Sequence, residues 1–312
     1  MRKSIRNHLP AVLSRLPDFR GRGRLTLFLD KFLTRENDHD AVGLVNGFPF
    51  ELDLRPWGQK FAFYYREWER DLIATFRDLY RERGGDFLDV GSSLGLYVVG
   101  LGDLVRRAGA RIRAIEPLPR NRERQARNIA LNALQDIVDV YPVALGAERI
   151  DVLISVDGND SNGIISSEGT IRCEVVPLDE LARDWPRIGA MKIDVEGYEP
   201  KVIEGGKATI ARDLPIILAE FNRERMTINQ FDIEPSWTFL HGLGYRAFRL
   251  EGGQLVALAK PGAFENLFFL PPDASRKIGG DPSPSSRVRM TSPDAVAFEE
   301  PRENPRSGEG LA

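Results

Sequence analysis

Phe87-Leu88-Asp89-Val90-Gly91-Ser92-Ser93-Leu94-Gly95 decides the fold. Its first four residues, apolar except for Asp89, read as a short buried strand. Two glycines follow, and the apolar run 94–108, closed by Gly109, reads as a helix. Gly91 lets the chain leave the strand in a conformation that a side chain forbids. Helix N-terminal amides beside a glycine-rich turn form a polar cradle at the carboxyl edge of a sheet, where open α/β folds bind ligands. By itself the motif is weak, because many tight strand-to-helix turns carry two glycines.

The alternation continues outward. Residues 111–116 read as a second strand, 119–134 as a helix and 137–143 as a third strand. Residues 151–156 and 171–176 alternate and flank the polar loop DGNDSNGIISSEGT, which predicts a β-hairpin inserted before a fourth core strand at 191–194. A helix over 199–211, an apolar fifth strand over 215–221 and a hairpin of 245–250 with 254–259 complete the pattern. This predicts an α/β fold: a doubly wound, Rossmann-like parallel sheet with an antiparallel C-terminal part. Upstream, 43–56 reads as an edge hairpin and 67–83 as a helix ended by Gly84-Gly85. The expected organisation is a basic leader (1–42), a hairpin and helix packed on the core (43–85), the main domain (86–270) and a disordered Pro/Ser/Gly-rich tail (271–312).

Lysine and arginine number 43 against 46 acidic residues, a net charge of −3, which argues against a protein that grips nucleic acid over its whole surface. Cys173 is alone, so no internal disulfide forms, and a structural thiol is expected rather than a nucleophile. His8, His39 and His241 lie far apart, and no metal site is predicted. No run approaches the ~20 apolar residues of a membrane span. The N-terminus lacks the apolar segment of a secretory signal, so a cytoplasmic location is expected. The basic opening segment, Arg2 to Arg24, reads either as a solvated leader or as a source of weak attraction to an anionic membrane surface or polyanionic partner.

Two further features carry chemistry. Glu116 ends the second strand, where a carboxylate can accept hydrogen bonds from ribose hydroxyls. The turn lacks the G-x-G-x-x-G of a dinucleotide site, with Ser at 93, and Asp89 suits a ligand bearing a cationic amino group better than pyrophosphate. The third feature, Lys192-Ile193-Asp194-Val195-Glu196-Gly197-Tyr198-Glu199, follows the fourth strand. Carboxylates and a lysine held near an apolar core need a reason. Either Asp194 takes a proton from an acceptor hydroxyl, orients it or binds a cation, or the group is a salt-bridged strand end.

The run FLDVGSSLGLY, then IEP at 115–117, Asn128 with Asn132, ALG at 144–146, PLDEL at 177–181, MKIDVEGYEPKVIEGG and ILAEFN resemble the FkbM-type S-adenosylmethionine-dependent methyltransferases. The resemblance covers roughly residues 45–250. It implies a class I methyltransferase fold, S-adenosyl-L-methionine as cofactor, and O-methylation of a hydroxyl on a saccharide or natural product. By position it implies that Asp89, Gly91, Ser92 and Gly95 line the methionine part and that Glu116 holds the ribose. Val143 and Ala144 would face the adenine, while Asp194 and Glu196 would face the acceptor, with Asp194 first in line to receive its proton. Glu69 corresponds loosely to an acidic position that closes over the donor, and Asn128 and Asn132 would support their helix. The family loop usually reads Ala-Asn where this chain has Ser92-Ser93, which bears on acceptor geometry. Expected partners are a small-molecule or glycan acceptor and no nucleic acid. The rival readings are an NAD-dependent oxidoreductase on a similar fold and a catalytically silent binding protein. The aromatic cluster Trp57, Phe61, Phe63, Tyr64, Tyr65 and Trp68 reads either as a seam or as a stacking surface.

Overall fold

A computed structural model describes residues 2–15, 21–33, 39–156, 163–165, 168–260, 262, 264–277 and 287–289. The chain opens with helices α1 (Arg2–Leu13) and α2 (Arg22–Leu33), the hairpin β1 (Asp40–Val45) and β2 (Phe48–Asp53), and helices α3 (Trp57–Tyr65) and α4 (Arg70–Arg83). The core begins with β3 (Asp86–Val90), α5 (Leu96–Arg107), β4 (Ile112–Ile115), α6 (Pro119–Leu131) and β5 (Val138–Tyr141). A side excursion of β6 (Ala144–Leu145), β7 (Ile150–Val156), β8 (Gly163–Ile165), β9 (Ile171–Val176) and α7 (Leu178–Leu181) returns to β10 (Ile188–Ile193). Then come α8 (Glu199–Gly205), α9 (Lys207–Asp213), β11 (Ile216–Asn222), α10 (Arg223–Ile228) and α11 (Glu234–Gly242). The antiparallel end holds β12 (Arg246–Glu251), β13 (Gln254–Leu258), β14 (Phe264–Leu270), α12 (Pro272–Lys277) and β15 (Arg287–Arg289).

One sheet runs β15-β13-β12-β14-β11-β10-β3-β4-β5. The five core strands from β5 to β11 are parallel, and β14 lies antiparallel between β11 and β12. The strand order reverses beside β3, which is the switch point where such sheets take ligands. Both faces are covered, as parallel strands require. Phe87, Ile216 and Leu218 belong to one core cluster, while Leu88, Val90, Ile217 and Ala219 belong to the other. Phe76 of α4 closes the first cluster, edge-on to Phe87, Tyr97 and Phe268. Each such buried aromatic or aliphatic side chain contributes about 1.5–3 kcal/mol.

The register levels the carboxyl ends. Val90 lies opposite both Ile115 and Ile193, so Gly91, Glu116 and Asp194 leave three adjacent strands at one edge. The inserted hairpin is part of a separate four-stranded sheet, β6-β9-β7-β8. Residues 157–162, 166 and 167 of its polar loop lie outside the described residues.

Several expectations shift. The helix expected over 199–211 breaks at Gly206, because Asp179 accepts hydrogen bonds from Ala208 N (2.9 Å) and Thr209 N (2.7 Å) and starts α9 afresh. The helix expected from 67 starts at Arg70, preceded by Glu69 in a left-handed conformation. Strand β14 was not expected. The solvated-leader reading also fails for the described residues: α1 and α2 pack on the α3 region. Tyr64 OH donates to Asp30 (2.8 Å), Lys60 pairs with the same carboxylate (2.7 Å), and Leu13 is buried. The buried Phe63 and Tyr64 make α3 the seam that the cluster suggested, although Trp57 is exposed. Most of the expected tail lies outside the described residues, but Pro272–Lys277 is helical, and Arg83 pairs with Asp273.

Candidate active site

The turn after β3 is built from left-handed residues: Gly91 (φ 80°), Ser93 (φ 47°) and Gly95 (φ 91°). A Cβ at Gly91 would stand 1.9 Å from the Asp194 carbonyl oxygen, so glycine here lets β3 and β10 converge. Gly91 N and Ser92 N both donate to Ile115 O at 3.0 Å, tying the turn to the end of β4. The Ser92 hydroxyl also turns inward, donating to Ile115 O (3.3 Å) and accepting from Gln125 Nε2 (2.7 Å).

Glu116 folds back over that turn. Its Oε2 accepts from Ser93 N (2.8 Å), and its Oε1 accepts from Leu118 N (2.8 Å) and Asn121 Nδ2 (3.3 Å). Burial raises its carboxyl to about 7, against the lowering effect of these hydrogen bonds. A carboxylate has about four acceptor positions. Oε2, which faces the turn with one bond made, is the oxygen open to a ligand hydroxyl. Asp89, at the last pleat of β3, is 1% exposed, and its Oδ2 has no hydrogen-bond partner. Burial raises it to about 7. Lys192 opposes the rise, and the Asp194 and Glu116 carboxylates add to it.

The other wall rises from β10 and β11. Lys192 is 1% exposed, its Nζ 3.2 Å from Asp194 Oδ2 and 5.2 Å from the Tyr97 ring centre. Burial alone would lower the ammonium, but Asp194, Glu69 and Glu220 hold it above its ordinary value. Tyr97 OH donates to Glu69 Oε2 at 2.5 Å. Glu220 is pushed upward by burial and by the nearby Asp194 charge. Glu196 (φ 56°) and Glu69 (φ 47°) are both left-handed, a conformation of roughly 1–3 kcal/mol that tends to gather at functional sites. Arg225 Nε lies 3.8 Å from Glu196 Oε2. Glu199 is buried beneath the loop, accepting from Val195 N (3.0 Å) and Gly197 N (3.1 Å), and so shapes the segment that presents Asp194.

Between these walls lies a cavity of about 290 Å³. Glu69, Asp89, Glu116, Asp194, Glu196 and Glu220 line it with the single ammonium of Lys192. This charge balance suits a cationic ligand. Ala144, Leu145 and Ile154 of the inserted sheet, with Leu118 at the start of α6, give an apolar flank. Of the two positions expected to face the adenine, Ala144 lines the cavity, whereas Val143 is partly buried against the second core cluster and does not line it. Asn128 and Asn132 face away from it: Asn128 bonds the backbone of Glu51 and Leu94, and Asn132 that of Pro49. Among the described residues no group of His, Cys, Asp and Glu is disposed to hold a metal ion. Cys173 is buried in the small sheet, its thiol raised to about 11 by burial. Tyr97 and Glu220 were not singled out from sequence. The available signal for Glu220 was a lone carboxylate within the apolar strand Ile216–Asn222.

The family model described as "Methyltransferase FkbM domain" matches residues 89–247. No curated protein matches the chain. Among solved structures, one titled methyltransferase FkbM from Methylobacillus flagellatus is 17% identical, with a TM-score of 0.41 over 60% of this chain and 44% of that one. The chain thus spans less than half of that protein. A precorrin-6y C5,15-methyltransferase from Geobacter metallireducens is 14% identical (TM-score 0.38, 64% of this chain and 85% of that one). A Pyrococcus abyssi tRNA (uracil-54, C5)-methyltransferase in complex with S-adenosyl-L-homocysteine is 12% identical (TM-score 0.38, 74% and 44%).

Proposed function

The chain belongs to the FkbM methyltransferase family, whose cofactor is S-adenosyl-L-methionine, and from that premise we propose that it methylates a hydroxyl oxygen of a saccharide or natural-product acceptor. The observation that carries this reading is the acidic cavity at the switch point, with an exposed-edge carboxylate, Asp194, beside a fully buried lysine. The residues fit the cofactor. The unpartnered Oδ2 of Asp89 answers an ammonium group, Glu116 Oε2 a ribose hydroxyl, and the Ala144–Leu145 flank an adenine. Gly91, Ser92 and Gly95 shape the turn over the methionine portion.

When bound, S-adenosyl-L-methionine supplies a methyl carbon on a sulfonium leaving group, so proximity and alignment matter more than activation. Asp194 would accept the proton of the acceptor hydroxyl, with Glu196 the second carboxylate within the loop. Lys192 pairs with Asp194 at 3.2 Å and offsets the repulsion among the surrounding carboxylates. Tyr97 and Glu69 position Lys192 from the opposite side.

The test uses S-adenosylmethionine carrying a labelled methyl group and panels of saccharide and polyketide hydroxyl acceptors. Label that enters an acceptor and survives mild alkali is a methyl ether, the expected product. Label that is released by alkali is an ester, and label on nitrogen or carbon assigns another atom. Either of these overturns the O-methylation of a hydroxyl.

A further inference from the structure

The N-terminal 33 residues carry eight basic side chains against two acidic ones, so the remainder of the chain has a net charge of −9. Within this positive segment the described helices α1 and α2 are folded against α3, and one face of α2 is left uncovered. Leu25 (39%), Phe28 (60%) and Phe32 (57%) are exposed there, with the Phe28 and Phe32 rings in edge contact at 4.9 Å. Arg24 and Lys31 are exposed on the same side. At 3.6 residues per turn these five positions fall within an arc of roughly 120°, the two cations along one margin of the apolar stripe. The opposite face is committed to the fold. Thr26 and Asp30 are buried, in contact with Tyr65 OH (2.5 Å) and Tyr64 OH (2.8 Å).

A second exposed aromatic adjoins the stripe. Trp57 (59% exposed) stacks on Phe61 at 4.7 Å, and a side chain at Gly23 of α2 would meet that same Phe61 ring at 3.6 Å. A helix with Phe and Leu on its free face, Lys and Arg at the margin and a Trp alongside has the composition of an interfacial helix that lies in the headgroup region of a bilayer. No helix among the described residues is long and apolar enough to cross one.

We infer that α2 seats this end of the molecule on an anionic lipid surface, with Phe28, Phe32 and Leu25 entering the headgroup boundary and Arg24 and Lys31 meeting lipid phosphates. Charge complementarity selects this occupant: the segment is positive while the rest of the chain is negative, so an anionic surface attracts this end and repels the others. The seat also lies near the site. Helix α3, which carries α2, leads directly through Arg66 to Trp68 and Glu69 on the cavity wall. The inference does not depend on the methyltransferase reading.

The test is co-sedimentation of the full chain with vesicles of phosphatidylcholine alone and of phosphatidylcholine mixed with phosphatidylglycerol. Binding to the mixed vesicles alone is expected, fading as salt shortens the range of the charge interaction. The double variant Phe28→Ser/Phe32→Ser lowers partitioning about tenfold or more. Arg24→Gln/Lys31→Gln lowers it roughly twenty-five-fold, at about fivefold per charge. Both variants keep the thermal midpoint and the S-adenosylmethionine affinity of the parent, because the changed side chains are exposed. Absence of binding to mixed vesicles, or equal binding to both kinds at all salt concentrations, overturns the inference. So does a dimer in sedimentation velocity that the phenylalanine variant splits, which would assign the face to a second copy of the chain.

Discussion

Glu116 and Asp194 stand on opposite sides of β3, each one residue beyond the end of its strand, and the fold treats them differently. Glu116 is 3% exposed and gripped by the Leu118 amide and Asn121 side chain of its own turn and by the Ser93 amide of the turn after β3. The side chain of Asp194 is 34% exposed, and it answers chiefly to charge: Lys192 at 3.2 Å, with Asp89 and Glu220 close by. One carboxylate is fixed by the backbone before any ligand arrives. The other is left adjustable in a strong local field. Rigid hydrogen bonding is suited to recognising a constant cofactor, whereas a field that responds to a proton is suited to the reacting group.

Substitutions can break that contrast. Asp194→Asn is expected to lower turnover by about 10²–10⁴-fold, the usual contribution of a positioned base, in the labelled-methyl assay. Donor affinity by calorimetry stays within about threefold. Lys192→Met comes next. It leaves the Asp89, Asp194 and Glu220 carboxylates without their buried cation and costs about 3–5 kcal/mol in urea unfolding. Glu116→Gln exchanges a charged acceptor for a neutral one and weakens S-adenosylmethionine binding by about ten- to a hundredfold. The amide oxygen replaces only one of the two carboxylate oxygens, so either the Ser93 or the Leu118 amide keeps its acceptor and the other loses it, and a thermal midpoint checks that the variant stays folded.

The smallest effect sharpens the comparison through pH. Asp89 and Glu116, raised by burial from 3.8 and 4.5 to about 7, hold protons in the folded chain that the unfolded chain releases near its ordinary values. The folded state therefore binds more protons across that window. The stability they confer is complete below about pH 4 and is lost as pH rises through 7. Asp53 acts in the opposite sense. Burial alone would raise it, but Arg55 and Arg120 hold it at about 2, so its contribution is lost only as pH falls from its ordinary value through 2. Thermal midpoints of the ligand-free protein should fall from about pH 5 to 8, and Glu116→Gln should flatten part of that slope. A midpoint that rises across this range would contradict the burial of both carboxyls.

The sequence was most legible where local chemistry and tertiary position agree. The Asp89–Gly95 turn, Glu116 and Asp194 announce themselves by glycine and carboxylate placement at strand ends, and the register brings all three to one edge. Legibility failed where distant residues decide the structure. The 199–211 periodicity runs unbroken through Gly205-Gly206, and it is Asp179 of another element that restarts the helix. Pro10 argues against a helix in α1, and α2 is anchored by polar contacts that only the fold supplies, with Asp30 accepting from Tyr64 OH of α3. Strand β14 begins Phe264-Glu265-Asn266, a polar interruption that weakens strand periodicity, yet two antiparallel neighbours pair with it. Tyr97 belongs to an apolar helix in sequence, and only its approach to Lys192 and Glu69 marks it as part of the site.

The most direct measurement is calorimetric titration of S-adenosylmethionine, S-adenosylhomocysteine and NAD into the full chain and into its Glu116→Gln and Asp194→Asn variants. The account predicts that both methionine-derived ligands bind the parent and NAD does not, that Glu116→Gln loses affinity at least tenfold, and that Asp194→Asn retains it. Equal losses in the two variants, with both folded, would contradict the division between a fixed donor carboxylate and an adjustable acceptor one. Binding of NAD in place of the other two would contradict the site as a whole.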